Sequence, residues 1–435
     1  MSCFTKLSGS GGIGGGDVGS EIKRVVLALQ STAVGGMETH VIDLAAEYRR
    51  RGITVLGLVP AGADFDGVAA RMAAGGARVA RADTDARHGR LAQIGTFRAL
   101  TTGLRTFSPD AVHVHTGGAT GGAGLVALAR VATNATVVIT EHDVPAVAPS
   151  LRQRLARQSI DRAAHAVIAV SRRNAGLRAA RLGAHSRHFV VVLNGVPLPT
   201  ATSAERLCGR RSVRQRFGIA CDEVVIGSLV RLAEGKGLET LLPAFAEVRA
   251  EHPCRLLLVG DGPLRGELGA MATSLGIAGD VAFAGHQPQP AAYLDAMDIF
   301  ALAVPAGSMS IALLEAMARG LPPVITFGGP EEAVIHGETG LTSPPGDVDA
   351  LAEALGSLVA DDCPRRQLGV AAEEHVRRNY SVARVADDLL AVYKGARGGV
   401  IPARLRADGP PDARPGEHCA PQPSESKPGW RRVRA

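Results

Sequence analysis

Short, uninterrupted apolar runs alternate with stretches of helical periodicity through most of the chain. RVVLALQ at 24–30 reads as a strand, and GGMETHVIDLAAEYRRRG reads as a helix ending at Gly52. Further apolar runs follow at TVLGLVP (54–60), AVHVH (111–115), TVVITEH (136–142) and AVIAVS (166–171), with helical patterns between them. Strands that are apolar throughout, separated by helices, belong to a parallel sheet covered on both faces. A Pro-, Gly- and Arg-rich connection at 194–223 breaks the series, which then restarts. VVIGSLV (224–230), CRLLLVG (254–260), VAFAG (281–285), DIFALA (298–303) and PPVIT (322–326) are each expected to lead into a helix. The pattern predicts an α/β protein with two doubly wound, Rossmann-like parallel-sheet domains in series. Their C-terminal strand ends would face a central cleft, where ligands bind in such sheets.

Composition refines the boundaries. Residues 1–20 are Gly- and Ser-rich, and the basic segment 399–435 is rich in Pro, Arg and Gly; both read as disordered. The units are read as 21–197 and 223–378, joined by a linker at 198–222 and followed by a last helix at 379–398. GSGGIGGGDVG has no strand before it, so its glycines are not read as a nucleotide loop. Aromatic residues are only 3% of the chain, which argues against stacking of single-stranded nucleic acid. The net charge of +6 suits a binder of anionic small molecules. The six cysteines form no CxxC pair and no zinc-spaced cluster with histidine, and read as free thiols in a reducing compartment. No apolar run approaches the roughly 20 residues that span a bilayer, and the N-terminus lacks the apolar stretch of a signal peptide. A cytoplasmic protein is expected.

Candidate chemistry gathers at strand ends. Gly35 and Gly36 open the helix after the first strand, either as a plain turn or as a place where backbone approaches an anionic ligand. Arg231 and Lys236 follow the first strand of the second domain, a position that suits a diphosphate. Gly260, Asp261, Gly262 and Pro263 form a tight turn; a single aspartate is not a DxD pair, so no metal is expected. In PAGSMSIALLEAMARGLPPV, Ser308 or Ser310 caps a short helix, and Gly320 with Pro322 ends it. Glu315 sits amid its apolar residues and calls for a partner, such as a pair of ribose hydroxyls. His142 closes a strand in TEHD beside Glu141 and Asp143, and is a candidate for contact with a reacting group. His113 and His115 alternate on a strand and share a face, one placed at the cleft and the other structural.

In chain order, GGMETHV, HVH, TEHD, NGV, VRLAEGKG, VGDGP, FAGH, LLEAMARGLPPV and GGPEEAVIHGETGL resemble the retaining glycosyltransferases of family 4, which have the two-domain GT-B fold. The resemblance covers about residues 22–395. It implies a nucleoside-diphosphate sugar as donor, with no further cofactor, and a small-molecule or lipid-linked acceptor. Gly35, Gly36, Gly260, Ser310, Glu315 and Glu332 are then donor contacts, Glu315 at the ribose. Arg231 and Lys236 neutralise the leaving diphosphate, and His142 contacts the donor sugar. His115 and Glu141 are assigned to the acceptor. The resemblance also implies that NYSVARVADDLLAVY (379–393) is a last helix crossing back to the first domain. One departure stands out: the family carries a glutamate eight residues before the position of Glu315, and this chain has Gly307 there. That change bears on the donor sugar and suggests one alternative, a catalytically weakened nucleotide-sugar-binding accessory subunit; the other is a GT-B epimerase or phosphorylase, related in fold but not in these motifs. Arginines in SLRQRLARQSIDR (150–162) read either as a solvated helix face or as an approach to an anionic or membrane-surface acceptor.

Overall fold

In a computed structural model of the protein, the described residues are 21–31, 34–82, 90–117, 121–143, 150–182, 189–305, 309–327 and 331–407. The Gly-rich segment 1–20, most of the basic tail, Gly307 and Ser308 therefore lie outside the described residues.

The first domain is a seven-stranded sheet: β1 (Arg24–Gln30), β2 (Thr54–Pro60), β3 (Arg78–Ala82), β4 (Ala111–Thr116), β5 (Thr136–Glu141), β6 (Ala166–Ala169) and β7 (Phe189–Val191). The order is β3-β2-β1-β4-β5-β6-β7 and every pairing is parallel. Its helices are α1 (Gly36–Arg50), α2 (Asp66–Ala74), α3 (Arg90–Phe107), α4 (Ala123–Ala132), α5 (Leu151–Ala163) and α6 (Arg172–Leu182). The connecting segment carries α7 (Ser203–Arg216). The second sheet comprises β8 (Val224–Leu229), β9 (Cys254–Val259), β10 (Val281–Gly285), β11 (Ile299–Leu302), β12 (Pro323–Thr326) and β13 (Leu341–Ser343), in the parallel order β10-β9-β8-β11-β12-β13. The remaining helices are α8 (Leu238–Glu251), α9 (Arg265–Ser274), α10 (Ala291–Ala296), α11 (Ile311–Met317), α12 (Val348–Ala360), α13 (Asp362–Asn379) and α14 (Val382–Gly395). Strand order reverses between β1 and β4 and again between β8 and β11. Those two switch points place the loops after β1, β4, β8 and β11 where ligands bind in such sheets.

The structure differs from the sequence expectation at five places. Strands β3, β7 and β13 were not anticipated; all lie at sheet edges, and two have only three residues. β12 is followed by a short 3-10 turn at Glu331–Ala333 rather than by an α-helix. The segment 198–222 contains α7, whose start is fixed by a reciprocal cap between Thr202 and Glu205. Its arginines form the contact face: Arg206 pairs with Asp295 at 2.9 Å, Arg210 with Asp298 at 2.7 Å, and Arg214 with Asp298 at 2.6 Å. That face binds the helix to the second domain.

α14 returns to the first domain. Val385, Leu389, Val392 and Tyr393 share one core with Val25, Leu27, Val41 and Tyr48. The Tyr48 hydroxyl donates to the Tyr393 hydroxyl at 3.1 Å.

The loop after β8 is tightly constrained. Gly237 has φ +71°, and a Cβ there would lie 1.8 Å from the carbonyl oxygen of Ala303. Both the left-handed backbone and the contact exclude a side chain. Gly237→Ala is expected to destabilise the second domain by about 1–3 kcal/mol. A urea melt that retains its midpoint would show that the loop relaxes freely.

Candidate functional site

The two domains meet where α1 and α11 begin. Gly36 is the first residue of α1, and a Cβ there would lie 3.4 Å from Cγ1 of Ile311, the first residue of α11. A small side chain there would thus just touch the other domain. Ser310 caps α11, its hydroxyl accepting the Leu313 N–H at 3.3 Å. The Gly35 N–H is not free: it donates to Oε2 of Glu38 at 2.7 Å. Glu38 is buried, and its other carboxylate oxygen has no hydrogen-bond partner.

The cations stand on the loop leaving the C-terminal end of β8. Arg231 is exposed and Lys236 half-buried, and neither forms an ion pair with another described residue. Lys236 lies between Gly235 (φ +70°) and Gly237 (φ +71°). The loop is also tied to the turn after β9, where Leu232 N–H donates to Asp261 O and Leu264 N–H to Leu232 O, both at 3.0 Å. Gly260 belongs to that tie: its φ is +136°, its N–H donates to Gly285 O at 2.9 Å, and a Cβ would lie 1.9 Å from Val230 O. The structure therefore gives Gly260, a donor contact expected from sequence, a packing role in this tie. Asp261 accepts the Gly262 N–H at 2.8 Å and shapes the turn.

Glu315 is half-buried on α11. Burial raises its carboxyl above the ordinary range, against the opposing pull of Arg319 and Arg71. A second acid approaches from the other domain: Asp43 on α1 is pushed up to about 7, first by burial and then by the Glu315 carboxylate, with Arg71 opposing. Asp43 was not singled out from sequence. Its signal was available, because Gly36, His40 and Asp43 are spaced to share one face of α1.

Four histidines cluster at the ends of β4 and β5. The His113 and His115 rings lie 3.9 Å apart, so both occupy the same face of β4. His115 Nδ1 is 3.1 Å from His142 Nε2. His40 of α1, also missed from sequence, lies 5.7 Å from the His142 ring. All four are buried. Burial is the largest cause holding each of them neutral, with His40 lowered to about 4 and His113 to about 3. Among the described residues, no three His, Cys, Asp or Glu side chains are grouped so as to hold a metal.

Two of the expected contact residues are engaged within the protein. Glu141, assigned to an acceptor, is buried in a cluster with Arg157, Asp161 and Arg178. Arg178 Nε donates to it at 2.8 Å, and Arg157 pairs with its other oxygen. Neighbouring strand residues point to opposite faces, and at this strand end Glu141 takes the side of α5 and α6. Glu332, assigned to the donor, spans the domains. Its two oxygens accept the N–H groups of Arg172 at 2.9 Å and Arg173 at 2.5 Å, at the start of α6. A carboxylate at a helix N-terminus is favoured by the unpaired amides there.

Two parallel sheets meeting through their switch-point loops define the GT-B class. Consistent with this, the structure superposes on a glycosyltransferase from Rickettsia africae with a TM-score of 0.74 at 16% identity, covering 87% of this chain and 99% of that one. It matches the Anabaena protein HepE, solved in complex with UDP, with a TM-score of 0.70 at 22% identity, over 84% of this chain and 98% of that one. Residues 34–199 match the model of Glycosyltransferase Family 4, and residues 223–361 match that of Glycosyl transferases group 1. The chain belongs to this glycosyltransferase family. A lipopolysaccharide core biosynthesis glycosyltransferase of Rhizobium meliloti is 33% identical over 178 residues, 41% of this chain and 52% of that protein. N-acetyl-alpha-D-glucosaminyl L-malate synthase of Bacillus anthracis is 30% identical over 193 residues, 43% of this chain and 51% of that protein. The chain thus spans about half the length of the curated relatives it matches.

Proposed function

We propose that the protein transfers a sugar from a nucleoside-diphosphate sugar to a small-molecule or lipid-linked acceptor, with retention of anomeric configuration and without a metal ion. The observation that carries this reading is the pair Arg231 and Lys236, without ion-pair partners among the described residues, on a loop at a sheet switch point. As the glycosyl–phosphate bond breaks, its electron pair leaves with the diphosphate, and the two cations stabilise the charge that develops. The acceptor oxygen bonds to the anomeric carbon on the face the diphosphate leaves, and a phosphate oxygen takes the acceptor proton. Such a route needs no second carboxylate, unlike the paired acids of glycosidases. His142, neutral and buried, lies against the donor sugar, and Glu315 accepts hydrogen bonds from the ribose hydroxyls. The Anabaena neighbour's UDP makes uridine the first base to test. A lipid-linked acceptor fits α5, where Leu151 and Leu155 are exposed beside exposed Arg152 and Arg154.

The test is calorimetric binding of UDP and GDP, followed by donor hydrolysis and transfer assays. Binding of one nucleotide with slow hydrolysis of its sugar is expected; no binding to either would overturn the reading. Glu315→Gln should weaken nucleotide affinity by about 1 kcal/mol or more while leaving acceptor affinity unchanged. Equal losses for both ligands would point to a folding defect instead.

A further inference from the structure

We propose that Tyr393 of α14 is a positioning residue for His142, acting through His113 and His115. This rests on the transferase reading only for its kinetic consequence; the geometry stands on its own. The Tyr48 hydroxyl donates to that of Tyr393 at 3.1 Å. A phenol has one proton, so Tyr393, already accepting, donates its own to Nδ1 of His113 at 2.7 Å. The neutral His113 then carries its proton on Nε2, which donates to Oγ1 of Thr140 at 2.6 Å. Both nitrogens of the ring are thereby held, which fixes its tautomer and its plane.

His115 is placed against that fixed ring. The two centroids are 3.9 Å apart with 32° between the planes. Nε2 of His115 is buried with no hydrogen-bond partner, so hydrogen bonding holds this ring through Nδ1 alone, at 3.1 Å from Nε2 of His142. The orientation of His115 therefore depends on the His113 ring stacked against it, and His142 inherits that orientation. Tyr393 lies 280 positions from His113 in the chain. The last helix thus supplies the outer end of a series that finishes at the residue assigned to the donor sugar.

The test is Tyr393→Phe, which removes a hydroxyl and keeps the buried ring. Nitrogen-15 histidine NMR on the full chain reads the effect without substrate. The chain has 13 histidines, so signals are assigned with single histidine-to-glutamine variants. Ring signals of His113, His115 and His142 should all move. Thr140→Val, which removes the other bond to His113, should move the same three and serves if Tyr393→Phe folds poorly. In transfer assays Tyr393→Phe should lower kcat by about tenfold or more, with the donor KM changed by less than about twofold. In a His142→Ala background it should cause no further loss. Unchanged His115 and His142 signals in both variants, or equal kcat losses in both backgrounds, would overturn the proposal. Signals that move in both variants, with a wild-type protein that turns over no nucleotide sugar, would overturn the transferase reading and leave the positioning intact.

Discussion

Lys236→Ala is expected to cut sugar transfer by about 10²-fold or more. Lys236 makes no ion pair with a described residue, so its removal breaks no native contact of that kind. It stands between two glycines in the left-handed region, on a loop whose backbone is bonded to the turn after β9. The ammonium is therefore held in place before the diphosphate charge appears, which is the condition for strong electrostatic stabilisation. The loss should fall on kcat, since the charge it meets grows as the glycosyl bond breaks. The melting temperature should stay near wild type. A variant that melts normally and turns over at the wild-type rate would remove Lys236 from the mechanism.

Arg178→Met is expected to lower stability by about 3–5 kcal/mol. Arg178 bonds Glu141 on one side and Asp161 on the other, and all three side chains are largely withdrawn from solvent. Methionine fills much of the space and leaves two carboxylates with Arg157 as their remaining cation. Burying charge without sufficient compensation is what makes the change severe. The exposed Arg366–Asp362 pair at 2.6 Å offers a control, where Arg366→Met should cost about 0–1 kcal/mol. Urea melts of the two variants provide the comparison. A loss at Arg178 as small as the control would show that water reaches the cluster and screens it.

The legible part of this fold was its centre. β1, β4 and β5 are covered on both faces, so nearly every position is buried, and valine, isoleucine or leucine at their centres made the runs stand out. β3 reads RVARA, with arginines at the first and fourth positions, and gives no such run. α7 was hidden for a related reason: its contacts with the second domain are made by arginines, so its packing face looks like a solvent face. Among the expected site residues, Arg231, Lys236 and His142 could be set at C-terminal strand ends because each follows an apolar run, and Glu315 on the helix after β11. Glu332 could not, because its partners lie 159 and 160 residues away and are backbone amides with no side-chain signature. Glu141 was read together with His142, although adjacent strand residues face opposite ways.

The return of α14 also has a consequence during synthesis. The first sheet is complete in sequence at Val191, yet its core includes Val385, Leu389 and Val392. At roughly 5–20 residues per second, the ribosome needs on the order of 10–40 s to deliver that helix after the sheet has emerged. Through that interval the face around Val25, Leu27 and Val41 lacks one of its layers, and the second domain is made in the meantime. The nascent first domain is thus an incomplete folding unit, open to chaperones and to proteases until the last helix leaves the exit tunnel. A stalled or truncated chain ending after β13 should be cleaved first in its N-terminal half, the half that was synthesised earliest.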